Sequence, residues 1–156
     1  MAFKRFAKKS ALWFMALCLV VTGMYVPYEA SAETDSENGI FDVYHPASGV
    51  ACYPRMFTTS KGTVLCAFDT NDDGGRSKIK LTRSTDNGKT WTKTPMTVGE
   101  VEGLDCANAA FIEYDGLLLC GYRANALNGG EYTSALYVSK STDDGLTWSR
   151  HSVIDN

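Results

Sequence analysis

One eight-residue pattern occurs twice in this chain and constrains its fold more than any other feature. Ser84–Trp91 reads Ser-Thr-Asp-Asn-Gly-Lys-Thr-Trp, and Ser141–Trp148 repeats it further along the chain with six of the eight positions identical. A pattern that returns at such a period is typical of repeat architectures, in which each copy marks one supersecondary unit. The chain is therefore predicted to contain two copies of one structural unit.

The residues before each pattern repeat as well. Four positions recur at one constant offset: Cys52 as Cys106, Gly62 as Gly116, Leu65 as Leu119 and Cys66 as Cys120. The loop after Tyr122 is slightly longer than its counterpart, which is why the two patterns lie a little further apart than these four pairs. Both units are thus expected to share one strand order.

Alternating apolar residues and turn signals predict four short strands in each unit. The first unit is predicted to have strands at Arg55–Thr59, Thr63–Phe68, Lys78–Arg83 and Thr92–Val98, a hairpin turn at Lys61-Gly62 and a polar loop at Asp69–Gly75. The second is predicted to have strands at Ala107–Glu113, Leu117–Tyr122, Tyr132–Lys140 and Ser149–Ile154, with a loop at Arg123–Gly130. Four strands at this period indicate an all-β fold of four-stranded antiparallel blades, blade 1 at 51–103 and blade 2 at 104–156.

The repeated pattern suits a tight turn between the third and fourth strands of a blade. An aspartate can accept hydrogen bonds from the turn's own N–H groups, a glycine can adopt positive φ, and a serine can bond across the turn. A tryptophan buried between sheets can fix the turn to its blade. These structural roles fall to Ser84, Asp86, Gly88, Trp91, Ser141, Asp143, Gly145 and Trp148. The pattern is therefore interpreted as a folding device rather than a catalytic site.

The segment 1–32 is predicted to be a secretory signal peptide. Four basic residues precede the apolar run Ala11–Val26, and Ala30-Ser31-Ala32 offers a small-residue cleavage site after Ala32. The run is shorter than a membrane-spanning helix requires, so we expect a secreted protein with no membrane contact after cleavage. The segment 33–50 is expected to form a polar leader and a candidate closing strand near Gly39–His45.

Charge and cysteine content exclude several functions. Once the segment 1–32 is removed, acidic residues outnumber basic ones by six, because four of the 15 Lys and Arg but only one of the 18 Asp and Glu lie in that segment. Such a chain is a poor candidate for binding nucleic acid. The spacing of the cysteines and histidines predicts no metal site and no cofactor. Cys66 and Cys120 are expected to be buried free thiols, although export would permit disulfides among Cys52, Cys66, Cys106 and Cys120.

The pattern and its spacing resemble the Asp box of the sialidase superfamily, the bacterial neuraminidase repeats. The resemblance covers nearly all of Cys52–Asn156 and implies a β-propeller, typically of six blades. Two blades are too few to close a propeller, because each blade needs neighbours that bury its faces. The chain is therefore expected to be the N-terminal third of such a propeller and inactive alone; assembly of several copies into a ring is the alternative.

In a propeller the ligand site lies at the axis, opposite the Asp boxes, and is formed by inner-strand starts and nearby loops. That placement selects Tyr53, Arg55, Arg76, Asp105, Asn108 and Arg123 as substrate-binding candidates and Asp69, Asp72 and Asp73 as catalytic candidates. Carboxylates can act in glycoside hydrolysis, and arginines can bind a sugar carboxylate. A solvated turn or a calcium-binding loop is the alternative for the aspartates.

One position separates this chain from true sialidases. That family carries Arg-Ile-Pro before the first inner strand, whereas this chain has Cys52-Tyr53-Pro54 with Arg55 after the proline. Tyr-Pro-Arg here, with Ala107-Asn108 in the next blade, looks more like the exo-arabinanase-type glycosidases. The resemblance thus implies a secreted exo-acting glycosidase that binds carbohydrate. A non-catalytic glycan-binding module and an inactive truncated remnant are the alternatives.

Overall fold

The computed structural model describes residues 34–35, 40–128, 131–149 and 152–155. The predicted signal peptide lies outside these ranges. The described residues form ten strands and no helix: β1 Thr34–Asp35, β2 Ile40–Phe41, β3 Ala51–Thr58, β4 Val64–Thr70, β5 Lys78–Ser84, β6 Met96–Gly99, β7 Asp105–Tyr114, β8 Leu117–Asn128, β9 Glu131–Ser141 and β10 Ser152–Asp155.

The larger strands form two antiparallel four-stranded sheets in chain order. Blade 1 is β3-β4-β5-β6 and blade 2 is β7-β8-β9-β10. Each strand therefore pairs with the next along the chain, as short hairpin connections allow. A separate pair, β1-β2, matches Thr34 with Phe41, so part of the predicted leader is extended and paired. The predicted all-β blade fold is confirmed.

Several strand limits were predicted wrongly. β4 continues through Thr70 and β8 through Asn128, so Asp69 and Arg123 lie within strands and not in loops. Ladder pairing with the next strand explains both extensions, because it holds polar residues extended against their local preference. β6 is shorter than predicted and begins only at Met96, since Pro95 has no N–H to give to the ladder.

The main hydrophobic core lies between the two blades. Side chains alternate across β4, so that Leu65 and Ala67 face blade 2 while Cys66 and Phe68 face the other way. The core between the blades comprises Leu65, Ala67, Ile79, Leu81, Val98, Cys106, Ala109, Leu118, Cys120, Tyr122, Ala124 and Tyr137. This shared core holds one blade in a fixed position against the other.

A second, smaller cluster covers the opposite face of blade 1. Cys66, Phe68 and Trp91 are buried there, and Val43 and Tyr44 pack over them. The Tyr44 ring stacks on that of Phe68 at a centroid separation of 4.7 Å. The chain before β3 therefore closes the face of blade 1 that blade 2 leaves open.

The four cysteines among the described residues, Cys52, Cys66, Cys106 and Cys120, are free thiols. Burial raises the pKa of Cys66 to about 11 and, in the core between the blades, that of Cys120 to about 12. Cys106 is buried too, whereas Cys52 is partly exposed. The prediction of buried free thiols is confirmed for Cys66 and Cys120.

The first Asp box is held by its own side chains. Ser84 Oγ accepts a hydrogen bond from the Gly88 N–H at 2.8 Å, and Asp86 Oδ1 accepts one from the Thr90 N–H at 2.9 Å. Gly88 has φ of +82°. Trp91 is 2% exposed, and its indole N–H donates to the Gly88 carbonyl at 3.0 Å. Ser84, Asp86 and Gly88 have their predicted roles, whereas Trp91 is buried on the face of blade 1 that points away from blade 2 and not between the two sheets.

The second Asp box repeats the arrangement. Ser141 Oγ accepts from the Gly145 N–H at 2.9 Å, and Asp143 Oδ1 accepts from the Thr147 N–H, also at 2.9 Å. Gly145 has φ of +78°. Trp148 differs from its counterpart, because it is only partly buried and its indole N–H has no hydrogen-bond partner among the residues that the structure describes.

We expect the first Asp box to make the protein's stability sensitive to acid. Hydrogen bonds from the Thr90 hydroxyl, the Thr90 N–H and the Ser84 hydroxyl lower the pKa of Asp86 to about 2. An unfolded aspartate is protonated near pH 4, so the stabilisation is complete above pH 4 and is lost as the pH falls from about 4 to about 2. Denaturant midpoints at pH 2, 3, 4 and 7 should show this loss for the wild type and a smaller loss for Asp86→Asn. An Asp115→Asn variant, altered in an exposed turn, should behave as wild type; equal acid sensitivity in all three would contradict the assignment.

The second box also contacts blade 1. The Thr63 hydroxyl donates to Asp144 Oδ2 at 2.5 Å, and the Arg83 guanidinium lies 3.0 Å from the Asp144 carbonyl oxygen and 3.5 Å from Oδ2. Both charged side chains are largely buried, with 10% and 14% of their surfaces exposed. A charged contact thus joins the blades at the end of the sheets where the Asp boxes lie.

Candidate functional site

The strand directions place the predicted ligand residues at the end of the sheets opposite the Asp boxes. Each box follows the third strand of its blade, at the end where β3 and β7 finish. β3 and β7 begin at the other end, where β4 and β8 finish. The starts of β3 and β7 and the ends of β4 and β8 therefore form one edge, which is the candidate site.

A bulge interrupts the first strand of each blade at this edge. The register shifts between Cys52 and Arg55 in β3 and between Ala107 and Ala110 in β7. Tyr53 (φ 51°) and Asn108 (φ 61°) have left-handed backbones at these points. Non-glycine residues in that region carry strain, which concentrates at functional sites. Sequence reasoning missed both bulges; the tolerance of asparagine for this conformation was the one usable signal.

Asp69 is the buried charged group of the candidate site. It is 2% exposed, and its two carboxylate oxygens accept the Asn108 N–H at 3.1 and 3.2 Å. Burial raises the pKa of this carboxyl to about 6, against the opposing effects of the Asn108 hydrogen bond and the charges of Arg123 and Arg55. Asp69 therefore gains or loses its proton at mildly acidic pH.

Asp72 and Asp73 have different surroundings. The Lys80 ammonium lies 2.8 Å from Asp72 Oδ1, and the Tyr44 hydroxyl donates to Oδ2 at 2.5 Å. Asp73 pairs with Lys78 at 2.5 Å. Hydrogen bonds from Lys80 and Lys78, respectively, lower the pKa values of the two carboxyls. An ionised carboxylate bound to lysine is a poor proton donor, so Asp72 and Asp73 are unsuited to act as general acids.

Arg76 and Asp105 bind each other. The guanidinium lies 2.7 Å from Asp105 Oδ2, and the Ser77 N–H donates to Oδ1 at 2.9 Å. The Cys106 N–H donates to the Ser77 carbonyl at 2.8 Å beside them. This pair links the blades, and each residue reduces the charge that the other could offer a ligand.

Five predicted residues remain grouped at the edge. Tyr53 lies in the β3 bulge, and Arg55 resumes the ladder after it. Asn108 lies at the β7 bulge. Asp69 joins the two blades there, and Arg123 is near enough to lower the pKa of Asp69. Tyr53 is 60% exposed, and Arg55, Asn108 and Arg123 are exposed as well. The candidate site is thus an open surface that carries two guanidinium groups above a buried carboxyl.

A groove lies elsewhere on the described part of the molecule. It encloses about 920 Å³ between β6, the chain leading into β7, and Trp148. Of the predicted ligand residues it is lined only by Arg76, which is already paired with Asp105. The groove is therefore separate from the candidate site.

No cluster of metal ligands occurs in the part of the chain that the structure describes. Among those residues, no group of three or more His, Cys, Asp or Glu side chains is placed to hold a metal ion. The lysine pairs of Asp72 and Asp73 occupy the carboxylates that a calcium-binding loop would use. Likewise, no helix in these ranges is long and apolar enough to cross a membrane.

Comparison with known proteins gives the fold a context. No protein-family model matches the chain. A sialidase of Bacteroides fragilis (strain YCH46) is 30% identical in an alignment that covers 78% of this chain and 29% of the sialidase. The solved structure of Hadza microbial sialidase Hz136 matches with a TM-score of 0.62 and 22% identity, over 72% of this chain and 28% of that one. A Dyadobacter fermentans DSM 18053 protein of unknown function matches with a TM-score of 0.55 and 21% identity, over 68% and 36% of the respective chains.

These proteins are much longer than the part that is matched. The chain spans about three tenths of the sialidase from B. fragilis and of Hz136. What the matches share with this chain is the blade arrangement that its own strands display.

Proposed function

We propose, from the premise that the chain forms two blades of a sialidase-superfamily β-propeller, that it is the carbohydrate-binding part of a secreted, exo-acting glycoside hydrolase. The superfamily fold is the premise; the activity, the secretion and the exo mode of action are the proposal. Fold alone does not determine activity, so the proposal depends on the side chains at the candidate site.

The observation that carries the proposal is the placement of Arg55 and Arg123 at the open edge. Both are exposed, and both act electrostatically on the buried Asp69. Guanidinium groups bind carboxylates through charge-assisted, often bidentate hydrogen bonds. Two such groups on one surface suit an acidic sugar, and the likeness to proteins named sialidases supports that choice.

The arrangement also offers the other elements of sugar recognition. The exposed ring of Tyr53 can lie against a sugar face, and the Asn108 amide can exchange hydrogen bonds with hydroxyl groups. Hydrolysis would further require an acid that protonates the leaving oxygen and a nucleophile or base across the scissile bond; the inaccessible Asp69 is assigned neither role.

The likeness to exo-arabinanases remains a prediction. If it holds, the expected substrate is a neutral sugar. Cys52 stands where true sialidases carry their first arginine, which favours this second candidate. The two substrates differ in charge. Variants of the arginines therefore separate them.

Binding can be measured by amide NMR of the purified chain titrated with 3′-sialyllactose, arabinotriose or lactose. We expect 3′-sialyllactose to shift the signals of Asn108 and its neighbours. Loss of one charge-assisted contact costs about 1.5–3 kcal/mol, so Arg55→Ala and Arg123→Ala should each weaken binding roughly tenfold to a hundredfold. A Lys61→Ala variant, altered at the opposite end of the sheets, is the matched control. Saturable binding of arabinotriose alone would replace the acidic-sugar proposal with the neutral one.

Release of the fluorophore from an aryl sialoside tests the catalytic part of the proposal. Binding of 3′-sialyllactose without turnover by the full-length protein would support a glycan-binding module instead. If the chain binds none of the three sugars, both the glycosidase proposal and the glycan-binding alternative are contradicted.

A further inference from the structure

Asp69 joins the two blades by accepting a hydrogen bond from one backbone group, the Asn108 N–H. Its side chain projects from β4 toward blade 2 and is almost wholly inaccessible, and both carboxylate oxygens lie within 3.2 Å of the Asn108 nitrogen. The residue thus joins the end of one blade's second strand to the start of the next blade's first strand.

Asn108 lies where the β7 ladder is interrupted. The pairing with β8 runs through Ala107 and resumes at Ala110, so Asn108 has no paired position in the ladder. A bulge leaves its extra residue without a ladder partner, and a buried backbone N–H needs an acceptor. Asp69 supplies that acceptor while Asn108 keeps a left-handed φ of 61°.

We infer that Asp69 is a positioning residue, which holds the Asn108 bulge in the shape that presents its side chain and the start of β7 to the ligand. The inference rests on the proposed carbohydrate site. It gives Asp69 a role other than that of the general acid, since both carboxylate oxygens are engaged by the protein itself.

Comparison of the two blades shows that this contact is particular to their junction. Arg123 occupies the position in blade 2 that Asp69 occupies in blade 1, because it follows Cys120 at the same distance as Asp69 follows Cys66. A guanidinium has only donors and cannot accept a backbone N–H. The acceptor role is therefore not repeated in blade 2, and the equivalent position there presents a cation.

The groups that face Asp69 decide how the contact responds to pH. Arg55 from β3 and Arg123 from β8 favour its ionised form. The Cys52 and Cys106 thiols, from β3 and β7, have raised pKa values and are neutral near pH 6. Burial is the larger effect, so Asp69 takes up its proton near pH 6 and then accepts a weaker hydrogen bond from Asn108.

The Asn108 amide signal reports this contact without any ligand. In the ¹⁵N-labelled chain its proton shift should move upfield in a single step with a midpoint about pH 6 as the pH falls from 8 to 4. Asp69→Asn should abolish the step. Asp115→Asn, which changes an aspartate with φ of 49° in the turn at the far end of β7, should leave it intact.

An Asn108 signal that keeps its step in Asp69→Asn, or shows none near pH 6 in the wild type, would overturn the inference. The wild-type measurement holds even if Asp69→Asn fails to fold. Adding 3′-sialyllactose separates the two proposals. A step abolished by Asp69→Asn, with no shift on adding the sugar, supports the contact and refutes the acidic-sugar site. If the sugar shifts amide signals but the Asn108 signal shows no step with pH, the acidic-sugar site is supported and the inference about Asp69 is refuted.

Discussion

Replacement of Asp144 by alanine is expected to lower the free energy of unfolding by about 3–5 kcal/mol, the usual cost of removing one partner of a buried ion pair. The Arg83 side chain, with 10% of its surface exposed, would lose its carboxylate partner, and the Thr63 hydroxyl would lose its acceptor. Within the described part of the chain, Arg83 Nε already has no hydrogen-bond partner, so this site has little capacity to compensate. Chemical denaturation of the two proteins measures the difference.

Asn87 provides a matched control. It occupies the same position in the first Asp box, with φ of 59° against 63° for Asp144, but it is exposed. Asn87→Ala therefore imposes the same left-handed alanine without breaking a contact between blades. We expect it to cost about 1–2 kcal/mol. Equal losses in the two variants would show that turn strain, and not the charged contact, governs stability at this position.

Replacement of Gly99 by alanine is expected to destabilise the protein by about 3 kcal/mol, at the upper end for an overpacked core. A Cβ atom at this position in β6 would lie 2.6 Å from Cζ of the Tyr122 ring and 2.8 Å from both Cε atoms. Tyr122 is 3% exposed and stacks on Tyr137 at 6.0 Å, so the ring has little room to move. The shift in thermal or denaturant midpoint measures the effect.

Gly121 is the matched control for this substitution. It also lies within a strand, but the nearest atom to its added Cβ is the Tyr137 carbonyl oxygen at 4.0 Å. Gly121→Ala should change stability by less than about 1 kcal/mol, since alanine suits a strand interior slightly better than glycine. In a Tyr122→Ala background, Gly99→Ala should lose most of its effect. Persistence of the full cost there would locate the strain in the backbone instead.

The repeated pattern predicts most of the fold because each of its residues satisfies a local requirement. The hydrogen bonds of Ser84 and Asp86 close their turn within the pattern itself, so sequence alone suffices to place them. Strand ends depend on partners elsewhere. The extension of β8 to Asn128 rests on its pairing with β9, which no local preference reveals.

The candidate site was predictable in position but not in electrostatics. Tyr53, Arg55, Asn108 and Arg123 lie at the edge that blade geometry selects. The burial of Asp69, its bond to Asn108 and the pairing of Arg76 with Asp105 depend on contacts between the blades. Those contacts join residues 29 to 39 positions apart, beyond the reach of motif spacing.

The contact of Asp144 with blade 1 also bears on how similar blades dock in the correct order. Proteins with repeated modules are prone to misassembly, because one copy can dock where another belongs. The two turns share six of eight residues, and one of the two that differ, Asn87 against Asp144, makes the charged contact in blade 2 alone. An exchange of the two turns would place an asparagine beside Arg83, and the charged contact between the blades would then be lost.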